Sequence, residues 1–352
     1  MQDFKVADEV ANEVVNKVVK NKLAEGIMRK LKLVVQSVMF GAMVIAGPAL
    51  AAESADQFPS KPIRIMGQGA GSTADYLSRY IGQRLTEVWK QSVVIDNRAG
   101  AGGTLSAEVV AKATPDGYSL VMGHAGPMVS AVSLYKNLPY DPLKDFAPIT
   151  KTASGVVVLV VHPSVTVKNV QELVALSKQR NLSYASAGNG TISHLAGELF
   201  KQVARADVQH IPYKSAGFAL TSILSGETQI SFLSPVTAYA QLKSGKVRAL
   251  AVSSRERFVG APDIPSATEA GIPGMEAQLW FGLFTTARVP KPIVAKLHKE
   301  ITGILRSEEV KTALLQRGAV ASPTTPEELH AYVKSELAKW TPIIKAAGIK
   351  AD

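Results

Sequence analysis

Short apolar runs alternate with segments of helical spacing along most of this 352-residue chain, and this alternation constrains the fold more than any other feature. Strand-like runs at Pro62–Met66, Val93–Ile95 and Tyr118–Met122 are separated by helical segments at Ala74–Trp89 and Thr104–Ala113. The order strand–helix–strand predicts parallel strands, because each helix returns the chain across a face of the sheet. We therefore expect an α/β sheet with helices on both faces.

The same alternation begins again further along the chain. An uninterrupted apolar run at Val156–Val161 is typical of a buried strand, and a helical segment at Val170–Lys178 follows it. A strand at Leu182–Ala185 precedes a helix that continues to about Val203. Further strand-like runs lie at Val208–Ile211, Ile230–Leu233 and Val247–Val252. These segments predict a second sheet, although no sequence repeat relates the two units.

The C-terminal part of the chain predicts two more helices. Ile293–Leu305 has helical spacing, and Thr325–Glu328 forms a capping box with proline at the first helical position, before a helix expected to end near Trp340. We expect these helices to cover the first sheet. Because 352 residues exceed what one core usually organises, we predict two lobes, residues 59–155 with 254–352 and residues 156–253, with a ligand cleft between them.

Residues 28–51 have the three-part layout of a secretory signal peptide. The basic segment Met28–Lys32 precedes the apolar stretch Leu33–Ala46, and small residues before Ala52 predict cleavage after Ala51. A retained membrane anchor is the alternative, but the stretch is short for a bilayer. The layout predicts an exported, soluble protein of the periplasm. Residues 1–27 have the spacing of a weak amphipathic helix, and translation that begins at Met28 would exclude them.

Composition excludes several classes of protein. The chain has no cysteine, which excludes a disulfide scaffold, a thiol nucleophile and a cysteine-ligated metal. Its net charge of +10 favours anionic partners, but the basic residues are scattered, so small anions fit better than nucleic acid. The sequence has no His-Glu-x-x-His motif and no clustered His and Asp residues. We expect neither a metal nor a cofactor.

Two glycine-rich loops, one in each predicted unit, lie between a strand and a helix. The first spans Gly67–Asp75 and the second Ser186–Thr191. Glycine allows close backbone approach, and a helix start offers unpaired N–H donors with a positive dipole end. An anion between the two loops would meet amide and hydroxyl donors from both sides. The alternative is that these glycines only permit tight strand-to-helix turns.

Two enzymatic interpretations are the alternatives to an anion-binding site. Gly67-x-Gly69 followed by Asp96 resembles part of a dinucleotide-binding fingerprint, but Ser72 replaces the third glycine. A hydrolase could use Ser193, His194 and Asp207, yet adjacent residues on one helix point apart and no Gly-x-Ser-x-Gly elbow is present. Catalysis is not predicted. Trp280 and Phe281 are expected in the core.

Several motifs in the predicted mature chain resemble the Bug-type solute receptors, the periplasmic binding components of tripartite tricarboxylate transporters. The similarity covers nearly the whole mature chain in order. The motifs are Phe58–Arg64, Asp96–Gly103, Pro115–Tyr118, Leu138–Pro142, Tyr184–Thr191, Ser193–Phe200 and Trp280–Phe284.

The resemblance implies a two-lobed periplasmic binding protein fold, type II-like, that closes on a small mono-, di- or tricarboxylate. The receptor would deliver its ligand to a two-subunit membrane permease and would act as a monomer. Carried over by position, the ligand-binding residues come from four loops. They are Gly71, Ser72 and Thr73 with Asp75 in support, then Gly123, His124 and Ala125, then Asn189, Gly190, Thr191, Ser193 and His194, and finally Lys214, Ser215 and Ala216.

One position departs from the family pattern. Where such receptors usually have proline followed by an aromatic residue, this chain has Gly67-Gln68. Gln68 then offers a polar contact where a ring would close the pocket, which leaves the identity of the carboxylate open. A periplasmic sensor that presents a bound acid to a signalling partner is the alternative function, and neighbouring genes would distinguish it from a transport receptor.

Overall fold

The structure is a computed structural model that describes residues 13, 15–26, 28–30, 32, 54–67, 73–98, 101–235, 241–316 and 318–350. It divides into two units, Met1–Ala52 and Glu53–Asp352. In the first unit residues 15–26 are helical, as the spacing predicts, and Val15, Val18 and Leu23 are exposed. The apolar stretch from Leu33 and the predicted cleavage site lie outside the described residues. Within the described ranges no helix has the length and hydropathy needed to cross a membrane.

The second unit contains two sheets and the helices that cover them. Its strands are β1 (Ile63–Gly67), β2 (Val93–Asn97), β3 (Ser119–Gly123), β4 (Phe146–Val156), β5 (Val158–Val161), β6 (Leu182–Ser186), β7 (Val208–Pro212), β8 (Ile230–Leu233), β9 (Arg248–Val252), β10 (Gln278–Thr286) and β11 (Ala319–Ala321). Its α-helices are α1 (Thr73–Trp89), α2 (Thr104–Ala111), α3 (Ala131–Leu134), α4 (Val170–Ser177), α5 (Ile192–Ala204), α6 (Ala216–Leu224), α7 (Lys291–Arg306), α8 (Glu308–Leu315) and α9 (Pro326–Ala346).

Both sheets are mixed. The first has the order β11-β4-β10-β3-β1-β2, in which β1, β2 and β3 are parallel, as predicted, and β10 runs antiparallel to β3 and β4. The second has the order β7-β6-β8-β5-β9, in which β6 is parallel to β7 and β8 while β5 is antiparallel to β8 and β9. Since β10 and β11 return to the first sheet, the chain leaves this sheet, builds the second and comes back.

Helices cover both faces of the first sheet because its strands are apolar on both sides. On one face Ile65 and Leu283 pack in the same core as Leu297 of α7. On the other face Val121 and Trp280 share a core with Val333 of α9. Trp280 and Phe281 are buried, which confirms that both belong to the core. The second sheet is covered in the same way, by α5 on one face and α6 on the other.

The chain crosses between the two sheets at Val157, and this position corrects the sequence interpretation. The run Val156–Val161, expected as one strand, is divided between β4 of the first sheet and β5 of the second. Buried Ser253 holds the crossing: its Oγ accepts the Val157 N–H at 2.9 Å and donates to the Ala277 carbonyl at 2.7 Å. Its own N–H donates to the Val157 carbonyl. One residue therefore joins the chain segments that run between the sheets.

Helix α9 begins as predicted but ends later. The capping box is present, with Thr325 Oγ1 accepting the Glu328 N–H and the Glu328 carboxylate accepting the Thr325 N–H. The helix was expected to end near Trp340, yet it continues through Pro342 to Ala346. Trp340 and Ile344 are both buried, so the apolar face continues past the proline. Packing of that face outweighs the hydrogen bond that the proline removes.

Candidate functional site

The loop between β6 and α5 is a compact turn held by its own hydrogen bonds. Gly188 and Gly190 have φ values of 118° and 71°, which side chains other than glycine rarely adopt. Ser193 Oγ accepts the Ala187 N–H at 3.0 Å, and Thr191 Oγ1 donates to the Gly188 carbonyl at 2.7 Å. The predicted glycines are therefore required by the turn itself. They also allow the backbone of this loop to lie close to the start of α5.

The first turn of α5 is the helix start that the sequence predicts to bind an anion. Thr191 is the N-cap residue, with extended backbone, and within the described part of the chain no side chain caps this end. Because the Thr191 hydroxyl is bonded to Gly188, it does not satisfy the first amides of the helix. Such a terminus has a positive dipole end and suits a carboxylate. Ser193 is buried here, and Asn189 is half-buried in the loop.

His194 faces the loop. It is 4% exposed, and its Nδ1 accepts the Gly190 N–H at 3.2 Å. Burial, together with the nearby His210 and Lys201, lowers the pKa of His194 to about 3, so the ring is uncharged at neutral pH. Because Ser193 Oγ is bonded to the Ala187 N–H and His194 Nδ1 to Gly190, the two side chains do not form a nucleophile–base pair.

The loop after β7 lies beside the loop after β6, because the two strands are parallel neighbours. The Tyr213 N–H donates to the Ser186 carbonyl at 3.0 Å. Ser215 is the N-cap of α6 and accepts the Phe218 N–H, and Ala216 is the first residue of that helix. Lys214 is exposed between them. The structure therefore brings the two predicted loops of the second sheet together at one edge.

In the first sheet the described residues are those that support the loop after β1. The Asp75 carboxylate, 6% exposed, accepts from Asn97 Nδ2 at 2.6 Å and pairs with Arg79 Nε at 2.9 Å. These contacts tie the first turn of α1 to the end of β2. Thr73 is the first residue of α1. The predicted ligand residues Gly71 and Ser72, and Gln68 with them, lie outside the described residues.

Of the three predicted residues here, Gly123 ends β3, and His124 and Ala125 lead into a π-helix at Gly126–Ser130. A Cβ on Gly123 would lie 2.7 Å from Phe284 Cε2, so only glycine fits there. His124 Nδ1 accepts the Gly126 N–H at 2.9 Å, and dense protein around the ring lowers the pKa of His124 to about 4. Ala125 is buried. π-Helical turns are rare in proteins, and those that occur are often found at functional sites.

The loop after β6 touches the helix that follows β3. A Cβ on Gly190 would collide with Leu134 Cδ1 and would lie 3.3 Å from Ser130 Cβ. Ser130 is 1% exposed, and its Oγ has no hydrogen-bond partner among the described residues. Buried hydroxyls are normally bonded, so an unpaired one beside a helix start points to a missing partner. No sequence motif singles out Ser130; the π-helix places it here.

A cavity at the second sheet does not coincide with the predicted site residues. A cavity of about 320 Å³ lies among Asn181, Ser183 and Gln229, near the starts of β6 and β8, and Tyr213 also lines it. It contains none of the predicted site residues. Among the described His, Asp and Glu side chains, no group of three could hold a metal ion.

Comparison with known proteins assigns the chain to a protein family. The model of the tripartite tricarboxylate transporter family receptor matches residues 77–349. The chain belongs to this receptor family. Its members are solute-binding proteins and not enzymes, which confirms the resemblance and removes the nucleotide-dependent and hydrolytic interpretations.

Solved structures of the receptor family share the fold. The R. palustris protein Rpa4515, solved with adipate, is 31% identical with a TM-score of 0.79 over 83% of this chain and 99% of its own. MatC of Rhodopseudomonas palustris, with bound malate, is 32% identical with a TM-score of 0.75 over 82% of this chain and 100% of its own. The periplasmic binding protein BugD is 32% identical with a TM-score of 0.76 over 84% and 100%. The two-lobed α/β fold is thereby confirmed.

Proposed function

We propose that this receptor captures a small organic anion with one or more carboxylates in a cleft between its lobes, in the periplasm, and delivers it to the membrane permease of a tripartite tricarboxylate-type transporter. Family membership and the dicarboxylates bound by two of its structural neighbours support this function. The predicted signal peptide at residues 28–51 supports export. The permease and the monomeric state are parts of the proposal.

The observation that carries the proposal is the approach of Gly190 to Ser130 and Leu134. It brings the uncapped start of α5 to the helix that follows β3, so donors from both sheets lie near each other. A ligand that binds both sides stabilises the closed arrangement by its differential affinity for it, whereas a ligand that binds one side equally in both states shifts nothing. Closure is then the mechanical result of binding.

The second sheet supplies the amides of the α5 start with Asn189, Thr191 and Ser193, and the loop after β7 adds Lys214 to Ala216. The first sheet supplies Gly71 to Thr73, the segment Gly123 to Ala125 and the unpaired Ser130 hydroxyl. Amide and hydroxyl donors hold a carboxylate with few fixed charges, as at other helix starts. Asp75 acts through the loop that it supports.

Calorimetric titration tests the proposal. The protein is purified from the periplasm of an expressing bacterium, and its first residue is sequenced; we expect Ala52. A panel of mono-, di- and tricarboxylates, aromatic acids and amino acids is then titrated, with the corresponding amides, in which every carboxylate is replaced, as matched controls. We expect at least one carboxylate to bind and its amide to fail. If a folded sample binds no acid in the panel, the carboxylate assignment is wrong.

A further inference from the structure

The π-helix after β3 changes the direction in which its last residue, Ser130, projects. In this turn the Ala131 N–H donates to the Gly126 carbonyl, five residues earlier, whereas an α-helix would direct it to the Pro127 carbonyl, four residues earlier. The next residues return to α-helical bonding, since the Tyr135 N–H donates to the Ala131 carbonyl. The turn therefore contains one residue more than an α-helical turn, and Ser130 is displaced around the helix axis.

Tyr140 supplies the hydrogen bond that the π-helix takes from the Pro127 carbonyl. Its Oη donates to this carbonyl at 2.8 Å, and the tyrosine side chain is buried. The ring packs edge-on against Phe146, with the centroids 5.5 Å apart. Without the hydroxyl, the Pro127 carbonyl would regain a donor by α-helical bonding to the Ala131 N–H. Tyr140 therefore favours the π-helical turn over the α-helical one.

The same turn removes the local acceptor that a helical serine often uses. Buried Ser78 in α1 shows the usual arrangement, in which Oγ donates to the carbonyl of Ala74, four residues earlier, at 2.7 Å. Four residues before Ser130 is Gly126, whose carbonyl accepts the Ala131 N–H. Ser130 is 1% exposed, and its Oγ has no hydrogen-bond partner among the described residues. Since buried hydroxyls are normally bonded, this one is available to a ligand.

The start of α5 lies next to Ser130, although it belongs to the other sheet. A Cβ on Gly190 would lie 3.3 Å from Ser130 Cβ, and Gly190 precedes Ile192, the first residue of α5, by two positions. The amides and the positive dipole end of this helix start suit an anion. A serine hydroxyl donates to a carboxylate oxygen as an amide does. Donors from two sheets therefore approach a common point.

We propose that a single carboxylate of the ligand bridges the two sheets, accepting from the amides of the α5 start on one side and from Ser130 Oγ on the other, and that Tyr140 is the positioning residue that keeps Ser130 in place. The inference rests on the proposed function and identifies the ligand group on which the two sides meet. Because Ser130 is buried beside Gly190, a ligand reaches its hydroxyl when this contact opens.

The consequence concerns the class of ligand. If one carboxylate joins both sheets, a second carboxylate adds affinity but is not required for the bridge. A monocarboxylate should then depend on Ser130 as strongly as a dicarboxylate does. If Ser130 instead contacts the second carboxylate, only the dicarboxylate should depend on it.

Formate, the smallest carboxylate, tests the bridge without knowledge of the natural ligand. Amide ¹H–¹⁵N spectra of the protein are recorded during formate titration, with chloride at equal ionic strength as the control. We expect the Ile192 and Ser193 amide signals to shift with formate and not with chloride. In S130A the same shift should need about tenfold more formate. Equal midpoints in the two proteins, or no shift in the unmodified protein, overturn the inference.

Succinate and butyrate test whether one carboxylate is sufficient. They are a matched pair, because butyrate has a methyl group where succinate has its second carboxylate. Calorimetric titration compares the unmodified protein with S130A, and we expect the dissociation constants of both acids to rise by a similar factor of about ten. A rise for succinate alone, or binding of succinate alone, would mean that the second carboxylate is required and would overturn the single bridge.

A double-mutant cycle tests Tyr140. Y140F removes the hydroxyl that bonds Pro127 and keeps the ring, so we expect up to about tenfold weaker formate binding. In the S130A background Y140F should have no further effect on affinity, because Tyr140 acts through Ser130. An equal loss of affinity in both backgrounds would overturn the positioning role.

Tyr118 provides the matched control for Tyr140. It is also buried, and its oxygen accepts the Ser60 N–H at 2.7 Å just before β3 begins, at the opposite end of this strand from the π-helix. Y118F should lower the free energy of unfolding and leave formate affinity unchanged. A loss of affinity in Y118F equal to that in Y140F would contradict a specific role of Tyr140.

The outcomes separate this inference from the proposed function. If acids of the calorimetric panel bind but S130A binds formate as the unmodified protein does, the receptor function stands and the bridge is wrong. If formate shifts the α5 amides in a way that depends on Ser130 while no acid of the panel binds, the bridge stands and the receptor function is wrong. If neither succinate nor butyrate binds, the formate titration decides. Thermal unfolding of every variant excludes loss of the fold as the cause.

Discussion

At the scale of single residues, Gly190 has two constraints at once. Its φ of 71° is costly for any residue with a side chain, and a Cβ would also collide with Leu134 across the loop contact. Gly245 has a similar φ of 69° but nothing within 4 Å of a Cβ. Comparing Gly190 with Gly245 therefore distinguishes the effect of backbone strain, which both glycines share, from the effect of the contact between the two sheets, which only Gly190 of these two makes.

We expect Gly190→Ala to weaken carboxylate binding more than tenfold, whereas Gly245→Ala should cost about 1–2 kcal/mol of stability through backbone strain alone and leave affinity unchanged. Calorimetry measures the affinities and urea unfolding measures the stabilities. Equal loss of affinity in both variants would mean that the contact with Leu134 has no part in binding.

A second prediction about a single residue concerns the Ser130 hydroxyl. Its Oγ is buried and has no partner among the described residues, whereas Ser222 Oγ, also buried, donates to the Ala219 carbonyl at 2.9 Å. Ser222→Ala should lower the free energy of unfolding by about 1 kcal/mol, and Ser130→Ala should leave it unchanged or raise it, because no hydrogen bond is lost. In ligand titrations Ser130→Ala should weaken binding about tenfold. A stability loss in Ser130→Ala equal to that of Ser222→Ala would show that the hydroxyl is bonded within the protein.

At the scale of elements, the crossing between the sheets depends on one side chain. Ser253 bonds Val157 through both its backbone and its hydroxyl, and it bonds Ala277 in the same two ways. These contacts join β4 and β5 to the segment that enters β10. Ser253 is therefore placed to hold the crossing between the sheets in register.

Ser253→Ala should lower the free energy of unfolding by about 1–3 kcal/mol, because the Val157 N–H and the Ala277 carbonyl lose their buried partner. Ser266→Ala is the matched control: Ser266 is also buried, but among the described residues its Oγ accepts from the nearby Glu269 N–H alone. Chemical denaturation compares the two variants. A larger loss in Ser266→Ala would contradict the role of Ser253 at the crossing.

At the scale of the whole molecule, buried histidines couple stability to pH. Burial lowers the pKa of His194 to about 3, while the unfolded chain titrates near 6.5. Below pH 6.5 the unfolded state therefore binds a proton that the folded state excludes, and stability falls as pH falls toward the folded pKa. Above pH 6.5 this contribution is complete.

We expect the free energy of unfolding to fall by up to about 1.4 kcal/mol for each pH unit between pH 6.5 and pH 4 on account of His194. Urea unfolding of the protein and of His194→Asn at each pH isolates this share, since carboxylates titrate equally in both. His330→Asn, which alters an exposed ring, is the control. Parallel curves for the protein and His194→Asn would refute the coupling.

Local sequence patterns predict some features of the two mixed sheets and their helices but not others. Parallel strands β1 to β3 and the helices between them follow from apolar periodicity and the glycine turns, because those signals lie within a few residues of each other. The split at Val157 and the extension of α9 through Pro342 do not follow, because each depends on partners more than fifty residues away. Ser253 is such a partner of Val157, and Trp280 is such a partner of α9.

The sequence by itself determined the alternation of strands and helices, the glycine turns at their ends and, through its motifs, the receptor family. Only the tertiary structure decided that Gly190 meets Leu134, that Ser130 is buried beside this contact with no hydrogen-bond partner among the described residues, and that His210 stacks on His194. Short-range pattern encodes backbone conformation, whereas these contacts arise from parallel pairing of β6 with β7 and from the approach of one sheet to the other. No local signal specifies these contacts, because the sequence around each residue has no motif that indicates its distant partner.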